Sequence, residues 1–310
     1  MTDARPKTRS ESLPAAAMAV SAILWGLWWM PLRWLASFGL DGPTMNAALY
    51  GVLMLVLLPL VWHRRRALRA NGAGLLITGA VFAIAITSWN TGIVIGEVVR
   101  VTLLFYLAPV WASLVGHFFL GQRLTPVRIA AIAIGLGGAA ILLGGGTSLP
   151  VPSSAGEWLG LLGGVFFALS LVAAHRLPEP TANDYTIVTT LCAAVLTFAV
   201  LPFFGEPEAL AMNWEVLRAT ALVAVFGLLP ITWIFFWGCR AIEPGRASLI
   251  LLLEVAVTAI SAALLAGEPF GWPEAIGCLM IAGAGALEGL LALIRRASLK
   301  SASHQAGPVD

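Results

Sequence analysis

Apolar residues run for about 20 positions at a time along this chain and are stopped by short charged or polar stretches, ten times over. A helix needs about 20 apolar residues to cross hydrocarbon, so the runs predict ten spanning helices. The first five are Pro14 to Phe38, Pro43 to Trp62, Gly74 to Ile93, Val98 to Leu120 and Pro126 to Leu143. The second five are Trp158 to Ala174, Tyr185 to Phe204, Ala219 to Trp237, Ala247 to Ala266 and Pro273 to Ile294. The fold class expected is an all-α integral membrane protein.

Composition agrees and narrows the function. Of 310 residues, 59% are hydrophobic and 11% charged, with a mean hydropathy of +0.89. Soluble domains carry about 25% charged residues. Ten spans use roughly 200 positions, which leaves no room for a soluble catalytic domain. Lysine occurs only at Lys7 and Lys300, so neither a phosphate-binding Gly-Lys-Ser/Thr loop nor a Schiff-base lysine exists in the body of the chain. Cys192, Cys239 and Cys278 are isolated in apolar runs, and His63, His117, His175 and His304 lack ligand spacing. No cofactor, metal or nucleic-acid partner is expected, and no enzymatic activity.

The net charge is only +2, but its distribution is informative. Placing the N-terminus in the cytoplasm puts 15 of the 18 basic residues on that side, among them Arg64, Arg65, Arg66, Arg69, Arg123, Arg128, Arg176, Arg240 and Arg246. Arg33, Arg100 and Arg218 fall opposite, where Asp41, Glu97, Glu157, Glu206, Glu208, Glu215, Glu268 and Glu274 collect. Basic residues accumulate in cytoplasmic loops, so both termini are expected inside a bacterial-type inner membrane. The first span, flanked by Arg5, Lys7 and Arg9, has its small residues Ala15 to Ala17 before its apolar core, and reads as an uncleaved anchor.

The Gly-, Pro- and Ser-rich segment Gly144 to Glu157 divides the chain into halves of five spans, with expected boundaries of 1–13 for a cytoplasmic tail, 14–146 for the first repeat, 147–157 for a periplasmic linker, 158–294 for the second repeat and 295–310 for a second cytoplasmic tail. The halves repeat. A shift of 146 residues aligns Glu97 with Glu243, Arg100 with Arg246, Leu103 with Leu249, Leu107 with Leu253, Gly121 with Gly267 and Gly137 with Gly283. An odd number of spans per half makes the second sit inverted relative to the first, as in transporters whose substrate site lies between the halves.

The segments Ala22-Ile23-Leu24-Trp25-Gly26, Phe105-Tyr106-Leu107-Ala108-Pro109-Val110-Trp111, Leu120-Gly121-Gln122-Arg123-Leu124, and Gly245-Arg246-Ala247-Ser248-Leu249 through Ala266-Gly267-Glu268-Pro269 resemble the drug/metabolite transporter superfamily, EamA type, over nearly the full chain. The resemblance implies a ten-helix basket of inverted five-helix repeats around a central cavity, moving small metabolites, often amino acids, usually outward. The chain departs from the family pattern at Gln122, where an acidic residue is expected, and at Val255, where a proline usually follows Glu254.

Glu254 lies eight residues beyond Arg246, about 12 Å at the helical rise, and so near the midplane. A carboxylate there must face water, find a partner or bind a proton, and no basic residue falls at its depth. It is either functional or a protonated tie between helices. Trp25, Trp28 and Trp29 share one helical face, as do Trp233 and Trp237, while Trp62, Trp158 and Trp272 sit at span ends as interface anchors. A desolvated cation over an indole gains about 2 kcal/mol, so a tryptophan-lined cavity with Glu254 would fit a cationic or aromatic substrate. Trp25, Asn90, Tyr106, Trp233, Trp237 and Glu254 are the expected substrate-binding residues, with Asn46 and Thr87 as further polar groups needing partners. Glu288 with Arg295 reads as a structural pair. The pairs Gly92/Gly96, Gly160/Gly164 and Gly285/Gly289 favour close helix packing, with monomer and homodimer both open. Glu97 with Arg100, and Glu243 with Arg246, form matching ExxR elements at the starts of the fourth and ninth spans, expected either as caps with an i, i+3 pair or as gates at the two membrane faces.

The expected function is therefore a secondary transporter, an exporter of a small metabolite such as an amino acid or an amphipathic organic cation, with protons as the candidate coupling ion. An integral-membrane lipid-modifying enzyme and a passive channel are the alternatives, disfavoured by scattered interfacial polar groups and by the scarcity of polar spans respectively.

Overall fold

The computed structural model describes residues 12–40, 42–96, 98–142, 152–177, 179–204, 213–267, 270–284 and 287. These residues form helices and no strand. The helices are α1 (Ser12–Gly26), α2 (Trp29–Ala36), α3 (Gly42–Ala70), α4 (Gly72–Ile95), α5 (Val98–Phe105), α6 (Ala108–Leu120) and α7 (Pro126–Leu142) in the first half. In the second half they are α8 (Ala155–Arg176), α9 (Ala182–Phe204), α10 (Trp214–Val223), α11 (Leu229–Cys239), α12 (Pro244–Leu251), α13 (Leu253–Ala266) and α14 (Trp272–Ala284). Eight helical stretches are long and apolar enough to cross a membrane, and the shorter apolar α7 and α14 bring the spans to ten. The architecture is two inverted repeats of five membrane helices around a central cavity.

Three of the spans read as continuous from sequence are interrupted. α1 gives way to α2 at Leu27–Trp28, α5 to α6 at Tyr106–Leu107, and α12 to α13 at Leu252. Proline accompanies the first two: Pro31 and Pro109 lack an N–H, and their rings crowd the carbonyls of Leu27 and Phe105, four residues earlier. Pro230 likewise accompanies a π-helical turn at Ala224–Leu228, which joins α10 to α11 in the eighth span. The α12–α13 break has no proline, because Val255 occupies the position that corresponds to Pro109, and it persists regardless.

The repeat survives in this irregularity. The 146-residue shift carries the break at Tyr106 onto Leu252 and the left-handed helix-ending Gly121 (φ 66°) onto Gly267 (φ 69°). Both glycines occupy a backbone region that costs a side-chain-bearing residue about 1–2 kcal/mol.

The two halves meet along a glycine row. α4 and α5 pack on α8, where a Cβ added to Gly156 would stand 2.6 Å from Gly96 Cα, and one on Gly160 would stand 2.5 Å from the Val101 carbonyl. The Gly92/Gly96 and Gly160/Gly164 spacings thus bring backbones together within the monomer. Gly285 and Gly289, with Glu288 and Arg295, lie outside the described residues.

α3 runs on to Ala70, eight residues past the span end expected at Trp62, so Arg64, Arg65, Arg66 and Arg69 are helical rather than looped. Arg, Ala and Leu are good helix formers, and no glycine or proline intervenes before Asn71.

Candidate functional site

A cavity of about 850 Å³ occupies the centre of the bundle between the repeats. The interrupted first, fourth and ninth spans all contribute to its wall. It reaches one end of the bundle at Arg33, Ala36, Gly42, Val94 and Glu274, and reaches none of the α3–α4, α6–α7, α8–α9 or α11–α12 connections at the other end. The cavity is therefore open towards one end only. The closed end is the basic one: Arg64, Arg65, Arg66, Arg69, Arg123, Arg128, Arg176, Arg240 and Arg246 lie there, against Arg33, Arg100 and Arg218 opposite, among the described residues.

The helix breaks supply the chemistry. Glu254 stands in the first turn of α13 and Tyr106 in the gap between α5 and α6, so each comes from the interruption of a different repeat. The Tyr106 hydroxyl donates to Glu254 Oε1 at 3.0 Å. Both residues line the cavity. The sequence offers Glu254 no basic partner; the structure instead gives it a hydroxyl from across the repeat interface, and its second carboxyl oxygen accepts no bond among the described residues. Thr258 fixes the surrounding backbone by donating to the Gly26 carbonyl (3.1 Å) and to the Glu254 carbonyl (2.9 Å), satisfying an acceptor freed where α1 ends.

Around this pair the wall is aromatic. Trp25 and Trp28 meet edge to face at 5.8 Å, and Trp29 is held by an indole N–H bond to Ser261 Oγ at 3.0 Å. Trp89 packs on Phe105 (5.7 Å), Phe105 on Phe167 (5.5 Å) and Phe167 on Phe235 (5.8 Å), a continuous ring path along the cavity. Offset and edge contacts of this kind contribute about 0.5–1.5 kcal/mol each beyond their buried area. Asn90 and Asn46 add amide groups, Asn46 donating to the Gly42 carbonyl at 3.1 Å. Thr87 lies off the wall, buried, its hydroxyl without a partner among the described residues.

Of the six expected binding residues, Trp25, Asn90, Tyr106 and Glu254 come together in this cavity, and Trp233 and Trp237 do not. Leu228, Thr232 and Phe235 are the cavity-facing residues of the eighth span. At 100° per residue Trp233 points about 140° away from Leu228, and Trp237 about 180° away. Trp233 is instead 39% exposed on the outer flank, its indole donating to Asn183 Oδ1 at 2.6 Å. Sequence reasoning missed the phenylalanines at 82, 105, 167 and 235, which carry no polar mark to separate them from lipid-facing residues.

Each ExxR element supplies one partner to an ion pair that crosses between the repeats. Arg100 reaches across the repeats to Glu157 at the start of α8, with Nε to Oε1 at 3.0 Å and Nη2 to Oε2 at 3.2 Å. Glu157 is 4% exposed and also accepts from the Ser153 amide at 2.8 Å. Glu243 stands at the N-cap of α12 but makes no side-chain cap bond; its carboxylate takes Arg128 of α7 at 2.5 Å. Arg246 lies at the same end, half-buried, and Glu97 is outside the described residues. The basic end carries further ties between the halves: Arg64 to Asp184 (2.6 Å) and Thr181 (3.2 Å), and Arg176 to the Phe119 carbonyl (2.5 Å).

Inverted membrane repeats that close at one end over a midspan cavity are the architecture of a transporter. The chain belongs to the EamA-like transporter family, whose model matches residues 13–144 and again 154–287, one match for each half. It is similar to the aromatic amino acid exporter YddG of Ancylobacter novellus, 29% identical over 197 residues, covering 61% of this chain and 66% of that protein. It is also similar to the probable terminal-alkyne amino-acid exporter of Streptantibioticus cattleyicolor, 29% identical over 166 residues, covering 50% of this chain and 52% of that one. The uncharacterized transporter YxxF of Bacillus subtilis is 23% identical over 179 residues, 57% of each chain. The matched stretches thus span from about half to about two thirds of these relatives' lengths. A solved crystal structure superposes with a TM-score of 0.71 over 91% of this chain and 99% of its own, at 19% identity, and shares the fold.

Proposed function

We propose that this protein is a secondary exporter of a small metabolite that carries an ammonium group and an apolar or aromatic body, an amino acid or an amphipathic organic cation, moved by alternating access. The observation that supports it is a carboxylate, Glu254, held by Tyr106 at the facing helix breaks inside an aromatic cavity. The free carboxyl oxygen receives the ammonium, the indole and phenyl faces take the body of the solute, and a proton replaces the solute on the return step. The names of two relatives, exporters of aromatic and of alkyne-bearing amino acids, point the same way. With the basic end in the cytoplasm of a bacterial inner membrane, the state described is open outward.

In this scheme the two cross-repeat ion pairs take unequal parts. Arg128–Glu243 latches the end that is closed, with Arg246 beside it. Arg100–Glu157 sits next to the glycine row at the open end and serves as a staple about which the repeats rock. A thermal-shift screen of the purified protein against amino acids, polyamines and quaternary amines tests the substrate class, since a ligand of the folded state raises the melting temperature. Stabilisation by ammonium-bearing aromatic compounds, lost in Glu254→Gln, supports the proposal; equal stabilisation of both proteins removes Glu254 from it.

A further inference from the structure

The eighth span changes helix type where it meets the break in the first. Its π-helical turn, Ala224–Leu228, points Phe226 outward, 77% exposed, and Leu228 onto the cavity wall. Gly227 lies between the two and against Trp28. A Cβ added to Gly227 would stand 2.8 Å from Trp28 Cζ3 and 3.3 Å from Cη2, both atoms of the six-membered ring. Glycine weakens a helix interior, and single π-helical turns gather at functional sites. The 146-residue shift aligns Gly227 with Val81 of α4, which is α-helical from Gly72 to Ile95, so the repeat accounts for neither the glycine nor the turn.

Trp28 is part of the cavity wall and packs with the buried cluster that holds Ala224 and Leu228. Its depth is fixed by its neighbour Gly26, where an added Cβ would stand 2.7 Å from the Glu254 carbonyl oxygen. The break between α1 and α2 therefore lies beside the first turn of α13, and Trp25 and Trp28 stand at the depth of Glu254. Trp25 meets Trp28 edge to face at 5.8 Å. Trp28 thus has the bare backbone of Gly227 against its outer ring and an indole at its edge.

We infer that Gly227 sets the size of the solute's apolar body by letting the Trp28 indole lie back against the eighth span, an assignment that rests on the central cavity being the solute site. Gly227 touches no solute; it positions Trp28. Any side chain at 227 pushes that indole into the cavity. Restoring ordinary carbon contact at about 3.5–4.0 Å moves the ring by about 1 Å, which removes about one methylene's worth of room. In an apolar pocket a misfit of that size costs about tenfold or more. The loss falls on bodies that fill the vacated space, so an indole is penalised and a single phenyl ring is spared.

The test measures binding of two uncharged probes, 2-(indol-3-yl)ethanol and 2-phenylethanol, to the full-length protein in lipid nanodiscs by titration calorimetry, so the ammonium contact at Glu254 plays no part. Gly227→Ala should weaken the indolyl alcohol by at least about tenfold and 2-phenylethanol by less than about threefold. Combined with Trp28→Leu, which removes the ring that the new methyl group strikes, Gly227→Ala should bind both probes within about threefold of Trp28→Leu alone. An unchanged indolyl affinity, equal weakening of both probes, or a persisting loss in the double variant would each overturn the inference and leave Gly227 a packing residue. Should Gly227→Ala fail to fold, the comparison of the double variant with Trp28→Leu alone decides the matter by the same threshold. A wild type that binds neither probe would overturn the inference together with the cavity reading beneath it. Ammonium ligands that bind Glu254→Gln as well as wild type, with the probe discrimination intact, would remove only the charge role of Glu254 and support the assignment of Gly227.

Discussion

Replacing Glu254 by Gln separates charge from shape at the centre of the cavity. The glutamine side chain has the same length and keeps a carbonyl oxygen to accept the Tyr106 hydroxyl, bonded at 3.0 Å to Glu254 Oε1, so the tie between the two helix breaks persists. What disappears is the negative charge. Removing one partner of a desolvated, hydrogen-bonded charge pair costs about 2–5 kcal/mol, which is about 30-fold or more in affinity. The penalty should fall only on ligands that carry an ammonium group. Phenethylamine and L-phenylalanine should lose at least about 30-fold in affinity by titration calorimetry, whereas 3-phenylpropan-1-ol, which carries no charge, should bind wild type and variant alike. The melting temperature of unliganded Glu254→Gln should stay within a few degrees of wild type, since burial of a neutral amide replaces that of a carboxyl. An ammonium ligand that binds both proteins within threefold would refute the reasoning, because the carboxylate would then be a helix tie and nothing more.

Other expectations follow from the same geometry. Trp25→Ala should weaken ligand binding by about tenfold or more, while Trp233→Ala should leave affinity unchanged in the same titration, because only the first ring is on the cavity wall. Gly160→Ala should lower the melting temperature through about 1–3 kcal/mol of overpacking, its Cβ falling 2.5 Å from the Val101 carbonyl. Arg128→Gln should open the basic end, raising the labelling of a cysteine placed at Ser248 by a reagent applied from that side, whereas Arg100→Gln should lower stability without raising it. Pro109→Ala should leave the fourth span interrupted, because the ninth breaks with Val255 at the matching position, and should change transport by less than threefold.

The spans and their repeat were legible because hydrocarbon imposes them: a run of about 20 apolar residues has few other uses, and Glu97/Glu243 through Gly137/Gly283 keep one register. Glu254 was legible for the same reason, as a carboxylate where a carboxylate is costly. The interruptions were harder to see. Pro31 and Pro109 mark two of them after the fact, but proline is tolerated inside many membrane helices, and Leu252 carries no breaker at all. The inward face of the eighth span was misread because tryptophan suggests a ligand wall more strongly than phenylalanine does, while the periodicity of an all-apolar helix cannot tell cavity from lipid. Partner choice was likewise invisible. Arg100 and Glu157 are 57 residues apart, and Glu243 and Arg128 are 115 apart, so their pairing depends on the packing of the repeats and not on local spacing.

The most direct test of the account is counterflow in proteoliposomes. Vesicles holding purified protein and unlabelled L-phenylalanine are diluted into labelled L-phenylalanine, and accumulation of label is followed in wild type, Glu254→Gln and Tyr106→Phe. Wild type should accumulate label transiently above equilibrium, Glu254→Gln should fail to do so, and Tyr106→Phe should do so at a rate reduced by about tenfold, as expected for one lost hydrogen bond to a charged group. Accumulation in Glu254→Gln at the wild-type rate would contradict the central claim that solute passes through this carboxylate.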